Sequence, residues 1–202
     1  MVKVKICGVT TVGDARVAAA AGAWAIGLNF FPRSARCVSG ETAEAIVAAL
    51  PSDVWRVGVF VDAPAASVRE MAERLRLDAL QFHGDESEEY CRGWGRPVIK
   101  AVRLRDCGVL ARVAAYPVDF ILVDAYVEGL AGGTGQTVRW DWLTGVDRDR
   151  LILAGGLTPE NVAEAVRAVR PMAVDVASGV ERGPGAKDQE RVRRFILNAQ
   201  SA

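Results

Sequence analysis

Short apolar runs and helix-forming runs alternate along the whole chain with short connections between them, a pattern that few folds accommodate. VKVKICG reads as a strand, and the alanine-rich stretch over roughly residues 11–22 as a helix. WAIGLNFF and GETAEAIVAAL repeat the pair, the helix closed by Pro51, and WRVGVFV leads into ASVREMAERL. DALQFH precedes ESEEYCRG, PVIKAVRL precedes DCGVLARVAAY, and DFILVD precedes a glycine-rich loop and a helix near VRWDWL. RLILAG then leads into PENVAEAVRAV, and AVDVA into KDQERVRRFILNA, which completes eight strands and eight helices. Alternation of this kind predicts a parallel sheet with helical crossovers. Eight units favour an α/β single-domain (β/α)8 TIM barrel over residues 1–202, in a compact version with few insertions. An open doubly wound sheet is the architectural alternative.

Lys plus Arg and Asp plus Glu both number 25, so no net field draws the chain to nucleic acid or to an anionic membrane. No apolar run approaches the roughly 18 residues that a membrane span needs. The first residues run straight into an alternating strand with no signal-peptide pattern, so a soluble, cytoplasmic protein is expected. Cys7, Cys37, Cys91 and Cys107 form no C-x-x-C pair, and there is one histidine. That set favours neither zinc nor a disulfide framework, and no metal is expected.

In a barrel of this type the active site is built on the loops that follow the strands. The predicted strand ends carry Cys7-Gly8, Asn29 with Arg33 and Arg36 beyond it, Asp62, His83, Arg103, Asp124, Gly155-Gly156 and Ala177-Ser178-Gly179. These endpoints are far more reactive than the strands that feed them. Cys7 and Asp124, distant in sequence, meet over one mouth as a candidate base and acid.

The first strand adds detail. Lys3, Lys5 and Cys7 share one face, and Val2, Val4 and Ile6 share the other. The apolar face should meet the helices, which turns Lys5 into the barrel about 6.6 Å below Cys7. An ammonium there is expected to favour the thiolate. A buried lysine needs a partner, and the eighth strand, its neighbour in a closed barrel, carries Asp175 on one face. A Lys5–Asp175 ion pair beneath the site is therefore expected. His83 is a rival base; a lone histidine at a strand end is as often a structural hydrogen bonder, and here it shares a face with Gln81 at the pocket mouth.

Two late turns suit an anion. Gly155-Gly156 leaves the seventh strand, with Thr158 as an expected N-cap and Pro159 at the first helical position. Ser178-Gly179 leaves the eighth, with room for a short helical turn after it. Glycines admit close backbone approach and helix N-termini offer free N–H groups, so the two turns together suggest a phosphate site. Either turn alone is also explained as ordinary turn chemistry. The loop Gly129–Thr137 is a third glycine-rich element and a candidate flap.

KICGVT, FFPRSAR, LQFHGDE, LVDAY, GGTGQT, LAGGLTPENV and VDVASGVERGPGAKD together resemble the phosphoribosylanthranilate isomerase family of tryptophan biosynthesis, from Lys3 to about Asp188. The resemblance implies a (β/α)8 barrel that converts N-(5-phosphoribosyl)anthranilate to 1-(2-carboxyphenylamino)-1-deoxyribulose 5-phosphate with no cofactor. It implies Cys7 as general base, Asp124 as general acid and Arg36 as the group that holds the anthranilate carboxylate. Arg36 has a plainer reading as a solvated loop charge, and Arg33 and Arg103 are weaker candidates of the same kind. Lys5, Gln81, His83 and Asp175 are expected to line the substrate site; Cys37, Cys91 and Cys107 receive no role. The small-molecule phosphoribosyl substrate is the one partner expected, and such proteins occur as monomers and homodimers. Two departures stand out: Val138-Arg139-Trp140 after the glycine loop, and Phe82 where the family usually has leucine. Two other functions fit less well. A histidine-pathway isomerase would carry an Asp where Cys7 stands, and a barrel that only binds a sugar phosphate would have no use for Cys7, Asp124 and Arg36 together.

Overall fold

A computed structural model of the chain describes residues 1–103, 108, 116–124, 143 and 147–202. Eight strands run in the order β1 (Lys3–Cys7), β2 (Ala25–Asn29), β3 (Trp55–Phe60), β4 (Ala79–Phe82), β5 (Val98–Arg103), β6 (Phe120–Asp124), β7 (Leu151–Ala154) and β8 (Ala173–Val176). Each pairs in parallel with the next and β8 returns to β1, which closes the barrel and excludes the open sheet. Among the described residues the α-helices are α1 (Val12–Ala20), α2 (Gly40–Ala48), α3 (Ala65–Arg74), α4 (Val162–Val169) and α5 (Gln189–Gln200). None of these helices is long and apolar enough to cross a membrane. A small antiparallel hairpin, β9 (Glu181–Gly183) with β10 (Ala186–Lys187), lies between β8 and α5.

Alternation along each strand separates two cores. Ala25, Val57, Ala79, Ile99, Leu122, Ile152 and Ala173 fill the barrel interior, small residues beside large ones, and Trp24, Trp55, Phe120 and Met172 close it below. The other face, with Val4, Ile6, Ile26, Leu80, Phe82, Val123 and Val174, packs against the helices in a separate core that includes Ala15, Ile46, Val68 and Phe195. Helix starts follow local chemistry: the Thr11 and Ser39 hydroxyls accept from the N–H groups of Asp14 and Thr42, and the Asp188 carboxylate accepts from those of Glu190 and Arg191.

Two expectations need correction. ESEEYCRG forms hydrogen-bonded turns, not a helix: the Cys91 N–H donates to the Ser87 and Glu88 carbonyls, and Gly93 and Gly95 then take positive φ. A ring cluster holds this segment instead. Phe82, fully buried, packs 5.1 Å from Tyr90 and 5.2 Å from Trp94, so the unusual phenylalanine has partners in the segment that replaces the helix. The regular part of α4 begins at Val162 with Asn161 at its cap, later than Thr158-Pro159 suggested. The Thr158 hydroxyl still accepts from the Glu160 N–H and so caps the turn that leads in. The helices expected over residues 106–116 and near 138–143, the loop Gly129–Thr137, Val138-Arg139-Trp140 and Cys107 lie outside the described residues, apart from isolated positions.

Removing the Phe82 ring should leave a cavity that the short turns around it do not fill. Phe82→Ala is expected to destabilise the fold by about 3–5 kcal/mol, read from urea unfolding.

Candidate active site

The residues lining the barrel change character toward the C-terminal ends of the strands. Above the apolar layer lie Lys5, Gln81 and Asp175, all buried, and above them Cys7, His83 and Asp124 at strand ends. Closure sets Lys5 level with Asp175 across the β1–β8 seam. The Lys5 Nζ donates to Asp175 Oδ1 at 2.8 Å, with the lysine side chain fully buried, so the expected ion pair is present. Burial alone would lower the Lys5 pKa, but the charge and hydrogen bond of Asp175, with Cys7 adding to them once it ionises, outweigh it and the net shift is upward, so Lys5 is a cation.

Cys7 stands opposite Gly27 in the β1–β2 register. A Cβ at Gly27 would lie 2.8 Å from the Cys7 Sγ and 3.1 Å from the Lys5 Nζ, so thiol and ammonium converge over the space that this glycine leaves open. The Lys5 ammonium favours the thiolate, as expected, but the net shift of the thiol is upward. Burial pushes the thiol up most; Lys5 and, more weakly, Lys187 pull it down, and the Asp175 carboxylate pushes it up again. The resting site therefore holds a protonated thiol at neutral pH.

His83 lies 3.0 Å through Nδ1 from the Gln81 amide nitrogen. In that orientation the amide donates to Nδ1, which leaves the imidazole proton on Nε2, and the buried Gln81 Oε1 has no partner among the described residues. Burial lowers the His83 pKa more than the nearby Asp124 and Asp175 carboxylates raise it, so the ring is neutral. Asp124 ends β6 between Arg103 on β5 and Ala154 on β7, on the inward face that it shares with Leu122.

Arg36 reaches the same mouth from the loop after β2. Its stem crosses Gly8, which has φ +68, and a Cβ at Gly8 would collide with the Arg36 Cδ. The glycine after the thiol therefore lets the arginine lie beside it. Arg36 Nε donates to Glu181 Oε1 at 2.8 Å and Nη2 to Oε2 at 2.7 Å. Lys187 Nζ donates to Glu181 Oε1 at 2.8 Å and to the Ala177 carbonyl at 3.1 Å. Glu181 and Lys187 escaped the sequence reading; the Pro184-Gly185 turn between them was the available sign of a hairpin.

The two glycine turns sit side by side. Gly155 and Gly156 have φ +89 and +63, and the Gly156 carbonyl accepts from the Asn161 amide. Ser178–Val180 forms the short helical turn expected after β8. A Cβ at Gly179 would run into the Leu157 carbonyl, so the β7 and β8 turns touch through backbone. Among the described residues no group of three His, Cys, Asp or Glu side chains could hold a metal ion.

Reactive side chains on the strand ends of a closed parallel barrel, over a buried ion pair, define a (β/α)8-barrel enzyme. The model of the family described as N-(5'phosphoribosyl)anthranilate (PRA) isomerase matches residues 4–198, and the chain belongs to that family. It is 50% identical over 201 residues to the N-(5'-phosphoribosyl)anthranilate isomerase of Geobacter sulfurreducens, covering 99% of each chain. The crystal structure of phosphoribosyl anthranilate isomerase from Thermotoga maritima superposes with a TM-score of 0.92 at 42% identity, covering all of both chains. A structure of a phosphoribosyl anthranilate isomerase in complex with reduced 1-(o-carboxyphenylamino)-1-deoxyribulose 5-phosphate gives a TM-score of 0.89 at 41% identity, again over both whole chains.

Because the Lys5–Asp175 charges are buried together, removing one strands the other. Lys5→Met or Asp175→Asn should each cost about 3–5 kcal/mol of stability, while Lys5→Met/Asp175→Asn recovers most of it. Thermal and urea unfolding of the three variants check this.

Proposed function

We propose that the chain, acting as one barrel domain in the cytoplasm, isomerises N-(5-phosphoribosyl)anthranilate to 1-(2-carboxyphenylamino)-1-deoxyribulose 5-phosphate in L-tryptophan biosynthesis, by acid–base chemistry carried by its own side chains. The observation that carries the reading is the meeting of Cys7, Asp124 and Arg36 at one mouth of the barrel, each on a different strand end or loop.

In this reading Asp124 protonates the furanose ring oxygen while the anthranilate nitrogen pushes its lone pair toward C1′. The C1′–O bond breaks and an open-chain Schiff base forms. Cys7, as thiolate, then takes the proton from C2′ to give an enolamine, which tautomerises to the ketone with the nitrogen left on C1′ as an amine. Arg36 holds the anthranilate carboxylate, and Gly155, Gly156, Ser178 and Gly179 receive the phosphate through backbone N–H groups. Lys5, Gln81, His83 and Asp175 complete the floor and wall of the substrate site. One barrel carries every assigned group, so the proposal needs no second copy of the chain, whether it is a monomer or a homodimer.

His83 is the competing base, favoured by the burial that keeps its ring neutral. Its Nδ1 is engaged by Gln81, which supports Cys7. The pH dependence separates the two. With the thiol pushed above its ordinary value, kcat/KM with Cys7 as base should keep climbing from pH 6 into the alkaline range, since the thiolate fraction grows about tenfold per pH unit below the pKa. With His83 as base the rise would level off below about pH 6.5, because its pKa is shifted down from the ordinary value.

A fluorescence assay of freshly made phosphoribosylanthranilate tests the activity directly, and complementation of a tryptophan auxotroph tests it in cells. Cys7→Ala and Asp124→Asn should each lower kcat by at least about a hundredfold with the fold intact by circular dichroism. Near-normal turnover in either variant would remove that residue from the mechanism.

A further inference from the structure

Arg36 is committed before any ligand arrives. A guanidinium offers five N–H donors in one plane, and Glu181 occupies the edge formed by Nε and Nη2. Among the described residues nothing engages the Nη1 end, which leaves it for a ligand. Exposure follows the same direction: the Arg36 side chain is 27% exposed, whereas those of Glu181 and Lys187 are 4% and 1% exposed. The carboxylate and the ammonium lie behind the arginine and fix which end of it looks outward.

The cluster is also unbalanced. Two cations, Arg36 and Lys187, share one carboxylate, which leaves a surplus positive charge beside Cys7. The hairpin that carries Glu181 and Lys187 is itself held against the Arg36 loop. The Thr10 hydroxyl donates to the Gly185 carbonyl at 2.6 Å, and a Cβ at Gly185 would lie 2.9 Å from the carbonyl of Ala35, the residue before Arg36. At the other side Lys187 ties to the Ala177 carbonyl, directly before Ser178-Gly179.

We infer that Glu181, anchored by Lys187, is a positioning residue that turns the free end of Arg36 into a selective seat for a carboxylate on the aglycone. A ligand carboxylate then docks without breaking the Arg36–Glu181 pair, so no buried charge is stranded when substrate binds. The orientation of the guanidinium, more than the local charge, discriminates between aglycones with and without the carboxylate. This inference rests on the Arg36 assignment made under Proposed function.

Two unreactive ligands make the test: the reduced amine analogue of the product, and the same compound with phenyl in place of 2-carboxyphenyl. The ratio of their inhibition constants measures carboxylate selectivity, expected to be about tenfold or more in the unaltered protein. Glu181→Gln/Lys187→Met keeps the surplus of the cluster at one positive charge and strands no buried ion, so it should fold. Its ratio should fall toward one while the phenyl analogue binds within about twofold of its original strength. Glu181→Gln alone adds a positive charge; its ratio should fall as well, whereas selectivity set by charge would rise. An unchanged ratio in the double variant, or equal weakening of both ligands, overturns the inference. Arg36→Met is the control for the underlying assignment. If it abolishes selectivity while the Glu181 variants keep it, only the positioning role fails; if it leaves selectivity unchanged, the Arg36 assignment fails with it.

Discussion

The Lys5–Asp175 pair is the constraint around which the upper barrel is arranged. An ammonium with no solvent access would cost several kcal/mol if unpaired. Among the described residues its counter-charge at hydrogen-bond distance comes from the strand at the opposite end of the sheet sequence, so this pair forms only when β8 closes on β1 in this register. A slip of one residue would send Lys5 into the layer that Val4 and Ile6 occupy against the helices. The pair thus marks the seam of the barrel and its alignment. It also places a fixed dipole under Cys7.

That dipole explains why the thiol is not simply activated from below. Burial is the largest influence and pushes the thiol up; the lysine pulls it down by less, and Asp175 opposes that pull. The positive charge that is not cancelled lies to the side, in the Arg36–Glu181–Lys187 cluster. That cluster still reaches the thiol, since Lys187 lowers the Cys7 pKa and Arg36 crosses the residue next to it, but burial outweighs the pull. A thiol held mostly protonated is a weak nucleophile at rest and a stronger base once ionised, which suits proton transfer better than covalent chemistry.

The strand ends were legible because strand–helix alternation and barrel closure are properties of residue order. Period two put Lys5 and Cys7 on one face, and the adjacency of first and last strands supplied Asp175. The sign of the Cys7 shift was not legible, since burial and the lysine's cancellation by Asp175 depend on distances that the sequence does not carry. The segment after β4 misled because its acidic run looks helical, while the ring cluster of Phe82, Tyr90 and Trp94 holds it as turns. Glu181 and Lys187 were hidden in strands of three and two residues, too short for any periodicity, where a buried charge looks like an ordinary surface one.

The same short hairpin joins the two ends of the site. Lys187 touches both the carboxylate that aims Arg36 and the carbonyl that enters the Ser178-Gly179 turn, within a single side chain. The Gly179 backbone in turn rests on Leu157, which follows Gly155-Gly156. The proposed carboxylate clamp and the glycine turns are thus connected through backbone and one ammonium. A substrate that is anionic at both ends fits such a frame best when the span between its charges matches the frame's, because a rigid pair of anchors spends less binding energy on ordering. Under the proposed roles of Arg36 and the glycine turns, the span between a substrate's charges therefore joins charge as a criterion for binding at the barrel mouth.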